Sequence, residues 1–153
     1  MAIKRAPRPS HPTVGDIMSS PPYTVLADER VDAARKALKT LQVHHLLVED
    51  RGRIVGIVSD RDILRAMSPY VDGAGAQRRD DLTLQRPIYS IASYHLVTVP
   101  RDTPLEVAAA LMLEHDISCL PVTGKDAEVL GIVTKSDLLQ ATLTCLIDAR
   151  PAA

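Results

Sequence analysis

The chain contains no phenylalanine and no tryptophan, and its only aromatic residues are Tyr23, Tyr70, Tyr89 and Tyr94. Its core must therefore be aliphatic, and a platform for single-stranded nucleic acid, which needs successive aromatic faces, has no support. Net charge is equally scarce. The 18 basic and 19 acidic residues give a formal −1, which offers no global attraction to nucleic acid or to an anionic membrane. No apolar run approaches the length of a bilayer span, and the amino-terminal stretch lacks the apolar segment of a secretory signal. The expectation from these absences is a cytoplasmic protein with no nucleic-acid or membrane partner. The two cysteines, Cys119 and Cys145, form neither a C-x-x-C nor a disulfide framework, and both are expected as buried or half-buried thiols.

What the chain does have is a repeat. Gly56-Ile57-Val58-Ser59-Asp60-Arg61-Asp62 returns 75 residues later as Gly131-Ile132-Val133-Thr134-Lys135-Ser136-Asp137, and extended to Ala66 and Ala141 the copies share six identities in eleven. Upstream, at a spacing of 74, Ile17 matches Ile91, Thr24 Thr98, Asp28 Asp102, Ala34 Ala108, Leu46 Leu120 and Val48 Val122. With 153 residues, 46% apolar and 24% charged, the chain is long enough for two small globular domains that share a core.

Each copy reads as an apolar strand, Ile54 to Val58 or Val129 to Val133, running into a helix whose N-cap is Ser59 or Thr134 and whose N3 position is Asp62 or Asp137. Two roles fit that geometry. In a capping arrangement the hydroxyl satisfies a free N–H and the carboxylate complements the positive helix end. In a binding site the same amides and hydroxyl receive phosphate, while the Asp accepts hydrogen bonds from a ribose diol.

The remaining elements follow from periodicity and punctuation. Tyr23 to Leu26 is a strand, and Val31, Ala34, Leu38 and Leu41 form the stripe of a helix capped by Asp28. Val43 to Glu49 is a strand that turns back at Asp50 to Arg53, and a helix follows from Asp60 to about Met67. In the second copy Thr103-Pro104-Leu105-Glu106 reads as a capping box opening a helix with Leu105, Ala108, Met112 and His115 on one face. Ile117 to Val122 is the middle strand, and Leu138 to Ile147 continues the last helix. The expected domains are a disordered, basic, Pro-rich tail at 1–13, a first repeat at 14–67, a connector at 68–87, a second repeat at 88–147 and a frayed end at 148–153. The connector should hold a short helix near Gln77 to Leu84, with Arg78, Arg79, Asp80 and Asp81 as a solvated face.

Catalysis finds no footing. His44 and His45 are neighbours on a strand and point to opposite faces, so they cannot share a metal ion. No nucleophile elbow or P-loop occurs, and no catalytic or metal-ligating residue is assigned.

Asp16-Ile17-Met18, Val43-His44-His45-Leu46-Leu47-Val48, Ile117-Ser118-Cys119-Leu120-Pro121-Val122 and the two Gly-Ile-Val-[Ser/Thr]-x-x-Asp stretches together resemble a tandem cystathionine-β-synthase (CBS) domain pair, or Bateman module, over Val14 to Leu143. The resemblance implies an α+β fold of two β-α-β-β-α repeats packed through their sheets with pseudo-two-fold symmetry. It also implies clefts between repeats for an adenosine-containing ligand, a homodimer, and a sensor that signals to an unidentified partner protein, not an enzyme. AMP, ADP or ATP is the implied ligand, ahead of S-adenosylmethionine or NAD, and no cofactor is required. The alternative is a ligand-free dimerisation or interaction scaffold.

Carried onto this sequence, the resemblance gives Asp62 and Asp137 the ribose hydroxyls, Ser59 and Thr134 the phosphate, and Arg61 and Lys135 its neutralisation. His45-Leu46-Leu47 and Ser118-Cys119-Leu120-Pro121 would flank adenine. Cys119 thereby keeps a redox-sensing role open. Leu47 departs from the family pattern, since Pro121 of the second copy is the commoner residue there. At the helix start the second copy has Lys135 where the first has Asp60, so its site should bind phosphate more tightly. The stripes Ala33, Ala34, Ala37, Leu38 and Ala108, Ala109, Leu111, Met112 are broader than one small sheet needs and also point to a dimer.

Overall fold

The computed structural model describes residues 12–71, 73–74 and 77–148, so most of the expected tail and the residues after Asp148 lie outside it. The chain divides into two compact units. One is Pro22–Leu96; the other starts at Val97 and includes the segment that ends at Pro21.

In the first unit β1 (Thr24–Leu26) pairs parallel with β2 (His45–Asp50), and β2 pairs antiparallel with β3 (Arg53–Ser59). A parallel pair needs a crossover, and α2 (Val31–Leu41) supplies it. Val31, Ala34 and Leu38 are buried as the stripe requires, whereas Leu41 is exposed because the helix stops there, with Gln42 in the left-handed region and its N–H closing on the Leu38 carbonyl. Asp28 is not the cap. The N-cap is Arg30, whose N–H is taken by Glu29 Oε1 at 3.0 Å, and the N–H of Val31 reaches the Arg86 carbonyl at 2.9 Å. Arg51 and Gly52 both have positive φ, as a two-residue hairpin that follows the strand twist demands.

After β3 come α3 (Asp60–Ala66), α4 (Arg78–Leu84) and a 3₁₀ turn (Ile88–Ser90). The connector is part of this unit's core, because Leu84 and Ile88 pack with Val31, Leu38, Leu46, Val48, Val58 and Ile63. The side chains of Arg78, Arg79 and Asp80, expected as a solvated face, lie outside the described residues.

The second unit repeats the plan. β4 (Val99–Pro100) is parallel to β5 (Cys119–Thr123), which is antiparallel to β6 (Val129–Thr134), with α5 (Leu105–Glu114) and α6 (Lys135–Asp148) alongside. Its core combines Val14 of the short helix α1 (Val14–Ile17) with Val99, Ala108, Met112, Leu120, Val122, Val133 and Leu138. The expected box from Thr103 to Glu106 does not form. Pro104 is the N-cap and has no side-chain acceptor to offer; the Leu105 N–H goes to the Pro12 carbonyl at 3.3 Å. Pro12 and Thr13, counted with the tail from sequence, are thus tied into this unit, and Asp148 still belongs to α6.

Each sheet is finished by a segment that lies before or after its strands. Ser19 exchanges both backbone hydrogen bonds with Ile132, at 2.9 and 3.0 Å, and Ser93 does the same with Ile57, at 2.9 Å each. The approach is close enough to demand glycine at the neighbouring position. A Cβ on Gly131 would stand 2.5 Å from the Ser19 carbonyl oxygen, and one on Gly56 2.8 Å from that of Ser93. Because both obstacles are backbone, Gly131→Ala and Gly56→Ala should each cost about 1–3 kcal/mol through forced separation of the segment from the sheet. Thermal denaturation reads this as a lowered Tm, and an unchanged Tm for both would show that the segments yield freely.

Candidate functional site

The duplicated motif places two carboxylates in the same local geometry. In the first unit Asp62 Oδ2 accepts from the Ser59 N–H at 2.9 Å and from the Ser59 hydroxyl at 2.6 Å, while the Asp62 N–H returns to Ser59 Oγ at 3.3 Å. In the second unit Asp137 Oδ2 accepts from the Thr134 N–H at 2.8 Å and its hydroxyl at 2.7 Å, with the Asp137 N–H to Thr134 Oγ1 at 3.3 Å. These are capping boxes with Asp in the place of Glu. Thr13 and Asp16 make a related pair of bonds at the start of α1, at 2.8 and 3.0 Å, so such hydrogen bonds by themselves mark a helix start and nothing more.

The boxes decide which atoms remain for a ligand. Both hydroxyl protons are spent on Oδ2, so Ser59 and Thr134 offer phosphate only what a rearranged cap would release. The first helical amide of each copy is also taken, since the Asp60 N–H bonds the His44 carbonyl at 3.1 Å and the Lys135 N–H bonds the Ser118 carbonyl at 3.0 Å. That role of the two carbonyls has no sequence signal, because it belongs to the backbone. Among the described residues, no group hydrogen-bonds Oδ1 of Asp62 or Asp137. This oxygen, on a half-buried side chain, is the acceptor each motif leaves open. Arg61 and Lys135 are exposed beside it in sequence.

The strand segments come together with the caps as expected. His45 stands opposite Ser59 in register, and Cys119 opposite Thr134. Their neighbours differ in role. Leu46 and Leu120 are 1% and 0% exposed and sit in the two cores, so only backbone groups at those positions can serve a ligand. Leu47 and Pro121 are buried as well, and by strand alternation they stand on the sheet face opposite Leu46 and Leu120. Ser118 is half-buried.

Burial sets the protonation of both residues facing the caps. It lowers the pKa of His45 below its ordinary 6.5, against the opposing pull of Asp60, so the imidazole is uncharged at neutral pH. Burial, assisted by the Asp137 carboxylate, pushes the Cys119 thiol up to about 12. A thiol held that far from its thiolate is unsuited to redox sensing. Cys145, expected to be at least half-buried, is exposed on α6. His44 is not paired with His45; its Nδ1 lies 2.8 Å from Asp60 Oδ2, an exposed contact that the second copy, with Ser118 and Lys135, does not have. Among the described residues no three His, Cys, Asp or Glu side chains are placed to hold a metal ion, and no helix is long and apolar enough to cross a membrane.

The CBS domain family model matches residues 14–69 and 88–144, which is most of the chain and both copies of the motif. The chain belongs to the CBS domain family. A CBS domain-containing protein of Dictyostelium discoideum is 33% identical over 140 residues, covering 90% of this chain and 96% of the relative. The fold agrees with solved CBS structures. CBSX2 in complex with AMP superposes with a TM-score of 0.69 at 31% identity, covering 88% of this chain and 98% of that one. The CBS domain pair of MJ0100, in complex with 5′-methylthioadenosine and S-adenosyl-L-methionine, gives 0.73 at 27%, again covering 88% and 98%. Other relatives are enzymes of which the CBS pair is a fraction: the chain spans 24% of a homoserine O-acetyltransferase from Methanohalobium evestigatum.

The two thiols should separate in a labelling experiment. With Ellman's reagent at pH 8, native protein should release one equivalent quickly, from Cys145, and the second only on unfolding, because Cys119 is both buried and protonated. Cys145→Ser should abolish the fast phase. Fast reaction of Cys119 in that variant would contradict its placement.

Proposed function

We propose that this CBS pair is a regulatory module that binds an adenosine-containing ligand, AMP, ADP or ATP, and signals to a partner protein. The carrying observation is the open Oδ1 of Asp62 and Asp137. One carboxylate oxygen fixes the helix start and thereby aims the other, which is the requirement for a diol acceptor that is rigid before the ligand arrives. His45 as an uncharged ring and the carbonyls of the middle strands supply the neutral surroundings that a purine edge needs. The AMP bound to CBSX2, at 31% identity, and the adenosine compounds bound to the MJ0100 pair support the same ligand class.

The two sites are unequal in this reading. Lys135 stands at the first helical position of α6, where it attracts phosphate, and Asp60 stands at that of α3, where it competes with phosphate for the positive end of the helix. A charge of this kind is worth about 0.3–1 kcal/mol when exposed. Arg61 offsets part of the deficit, which keeps the difference below about a hundredfold.

A second observation favours self-association. The helix faces expected to be in excess are in fact mostly covered, with Ala34, Leu38, Ala108 and Met112 buried. The uncovered apolar stripe is instead on α6, where Leu139, Leu143, Leu146 and Ile147 are 73%, 50%, 62% and 59% exposed. We read it as the contact of a homodimer. Light scattering should return twice the 16.6 kDa of the chain, and Leu143→Glu should return the monomer; a wild-type monomer at micromolar concentration refutes the dimer.

For the ligand, calorimetry with AMP and ATP should give micromolar binding, on the order of −7 to −9 kcal/mol. Asp137→Ala should remove the tighter phase and Asp62→Ala the weaker. Asp137→Asn keeps an acceptor for the cap while discarding the charge, so it separates lost affinity from lost fold; a loss of roughly 10–100-fold is expected from a charged hydrogen-bond acceptor. Equal effects at both sites overturn the asymmetry. No heat with any adenosine ligand overturns the sensor reading and leaves the interaction scaffold.

A further inference from the structure

The first unit contains a cavity of about 600 Å³ that none of the thirteen candidate ligand residues lines. It lies at the far end of the sheet from the cap: Ser59 pairs with His45 at one end of the β2–β3 ladder, whereas the cavity is at the Asp50–Arg53 end. Its walls are of two kinds. Tyr89 and Tyr94, half the aromatic residues of the chain, line it with Leu26 and Val55, and the Tyr94 hydroxyl donates to the Tyr89 carbonyl at 3.0 Å. Asp28, Glu49 and Asp50 line it together with Arg51, three acidic residues to one basic, and among the described residues none of the four is in an ion pair. Carboxylates beside aromatic faces favour a cation with a flat, weakly hydrated surface, and guanidinium fits that description better than ammonium.

The second unit shows how the fold treats the same place. The Tyr89 N–H bonds the Ala27 carbonyl at 2.8 Å, and the Gly15 N–H bonds the Arg101 carbonyl at 2.8 Å, so these backbones correspond. There the repeat has Gly15 and Ser20 in place of the tyrosines, and Thr123 and Gly124 in place of Glu49 and Asp50. Ala27 becomes Arg101. The Arg101 side chain runs across Gly15, with Nε 3.3 Å from where a Cβ would stand. One unit thus covers the position with its own guanidinium-bearing side chain; the other has no cation at residue 27 and has gained two aromatic rings and two carboxylates.

We propose that the cavity of the first unit is a docking site for an arginine side chain presented by an extended segment of a partner protein. Leu26, Tyr89 and Tyr94 are each about half exposed around the mouth, which gives the backbone and flanking residues of such a segment an apolar rim beyond the guanidinium itself. The proposal does not depend on nucleotide binding at the caps.

The test is titration of the full chain with acetyl-Gly-Pro-Arg-Pro-Gly-amide, followed by the ring resonances of Tyr89 and Tyr94, alongside the same peptide with citrulline, the uncharged isostere. The expected result is saturable binding of the arginine peptide only, weakened on the order of tenfold by Glu49→Gln/Asp50→Asn. Tyr89→Gly, which installs the residue of the other unit, should weaken it as well. Circular dichroism of both variants establishes that they fold. Absence of binding, equal binding of the citrulline peptide, or no effect of the double substitution overturns the proposal. Equally tight binding of N-acetyl-arginine amide overturns the partner segment in favour of a small guanidine ligand.

Discussion

Both sheets depend on a contact that no side chain makes: a serine backbone laid against the third strand, over a glycine that has to be a glycine. In the first unit the partners, Ser93 and Ile57, come from one continuous stretch, Pro22–Leu96. In the second, Ser19 and Ile132 close a loop roughly three times as long, which by loop-closure entropy costs about 1 kcal/mol more. The segment that carries Ser19 also brings Val14 into the core and the Pro12 carbonyl to the start of α5, so its docking supplies apolar burial and a helix cap in the same event. The first unit can assemble from its own stretch; the second needs two distant parts of the chain.

In the proposed ligand sites, stability and recognition would share atoms. Oδ2 of Asp62 and of Asp137 closes a capping box, a contribution of about 1 kcal/mol, and through it the position of Oδ1 is set. The first helical amide of each copy is held by the carbonyl at the entry to the middle strand, which couples the helix start to the residues facing it, His45 and Cys119. A ligand that engages Oδ1 therefore meets a carboxylate that has already lost its rotational freedom. Phosphate, in contrast, meets amides and hydroxyls that are largely committed, which leaves its attraction to the exposed Lys135 and Arg61.

The repeat, the strands before the caps and the two capping boxes were legible because they are local: a short continuous apolar run, a hydroxyl and a carboxylate three residues on. Asp28 and the Thr103–Glu106 box misled for the complementary reason. Their residue types suit a cap, but the backbone of another segment, at Arg86 and at Pro12, reached the helix starts instead, and nothing in a local window reports that. The serine–glycine contacts were invisible in the same way, although Gly56 and Gly131 are the most obvious identities of the repeat. Leu46 and Leu120 were taken as ligand-flanking from resemblance; their side chains lie in the cores, which leaves their backbone groups for that role. For Cys145 the sequence offered only the general tendency of free cysteine to be buried, which the exposed face of α6 overrides.

The two copies retain one backbone and differ in charge at both ends of the sheet. At the cap the first unit has Asp60 where the second has Lys135; at the opposite end it has Glu49, Asp50 and Ala27 where the second has Thr123, Gly124 and Arg101. Each of these exchanges makes the first unit more negative, while Arg61 against Ser136 at the cap and Gly52 against Asp126 in the hairpin oppose them in part. Matching hydrogen bonds at Tyr89 and Gly15, and at Ser93 and Ser19, show that both sets of residues are compatible with the same strand and segment pairings. If both proposed sites are occupied, charge favours a phosphate at the helix start of the second unit and a cation at the tyrosine-lined edge of the first. An anionic metabolite and a basic partner would thus be drawn to different units, so that neither has to displace the other to be bound.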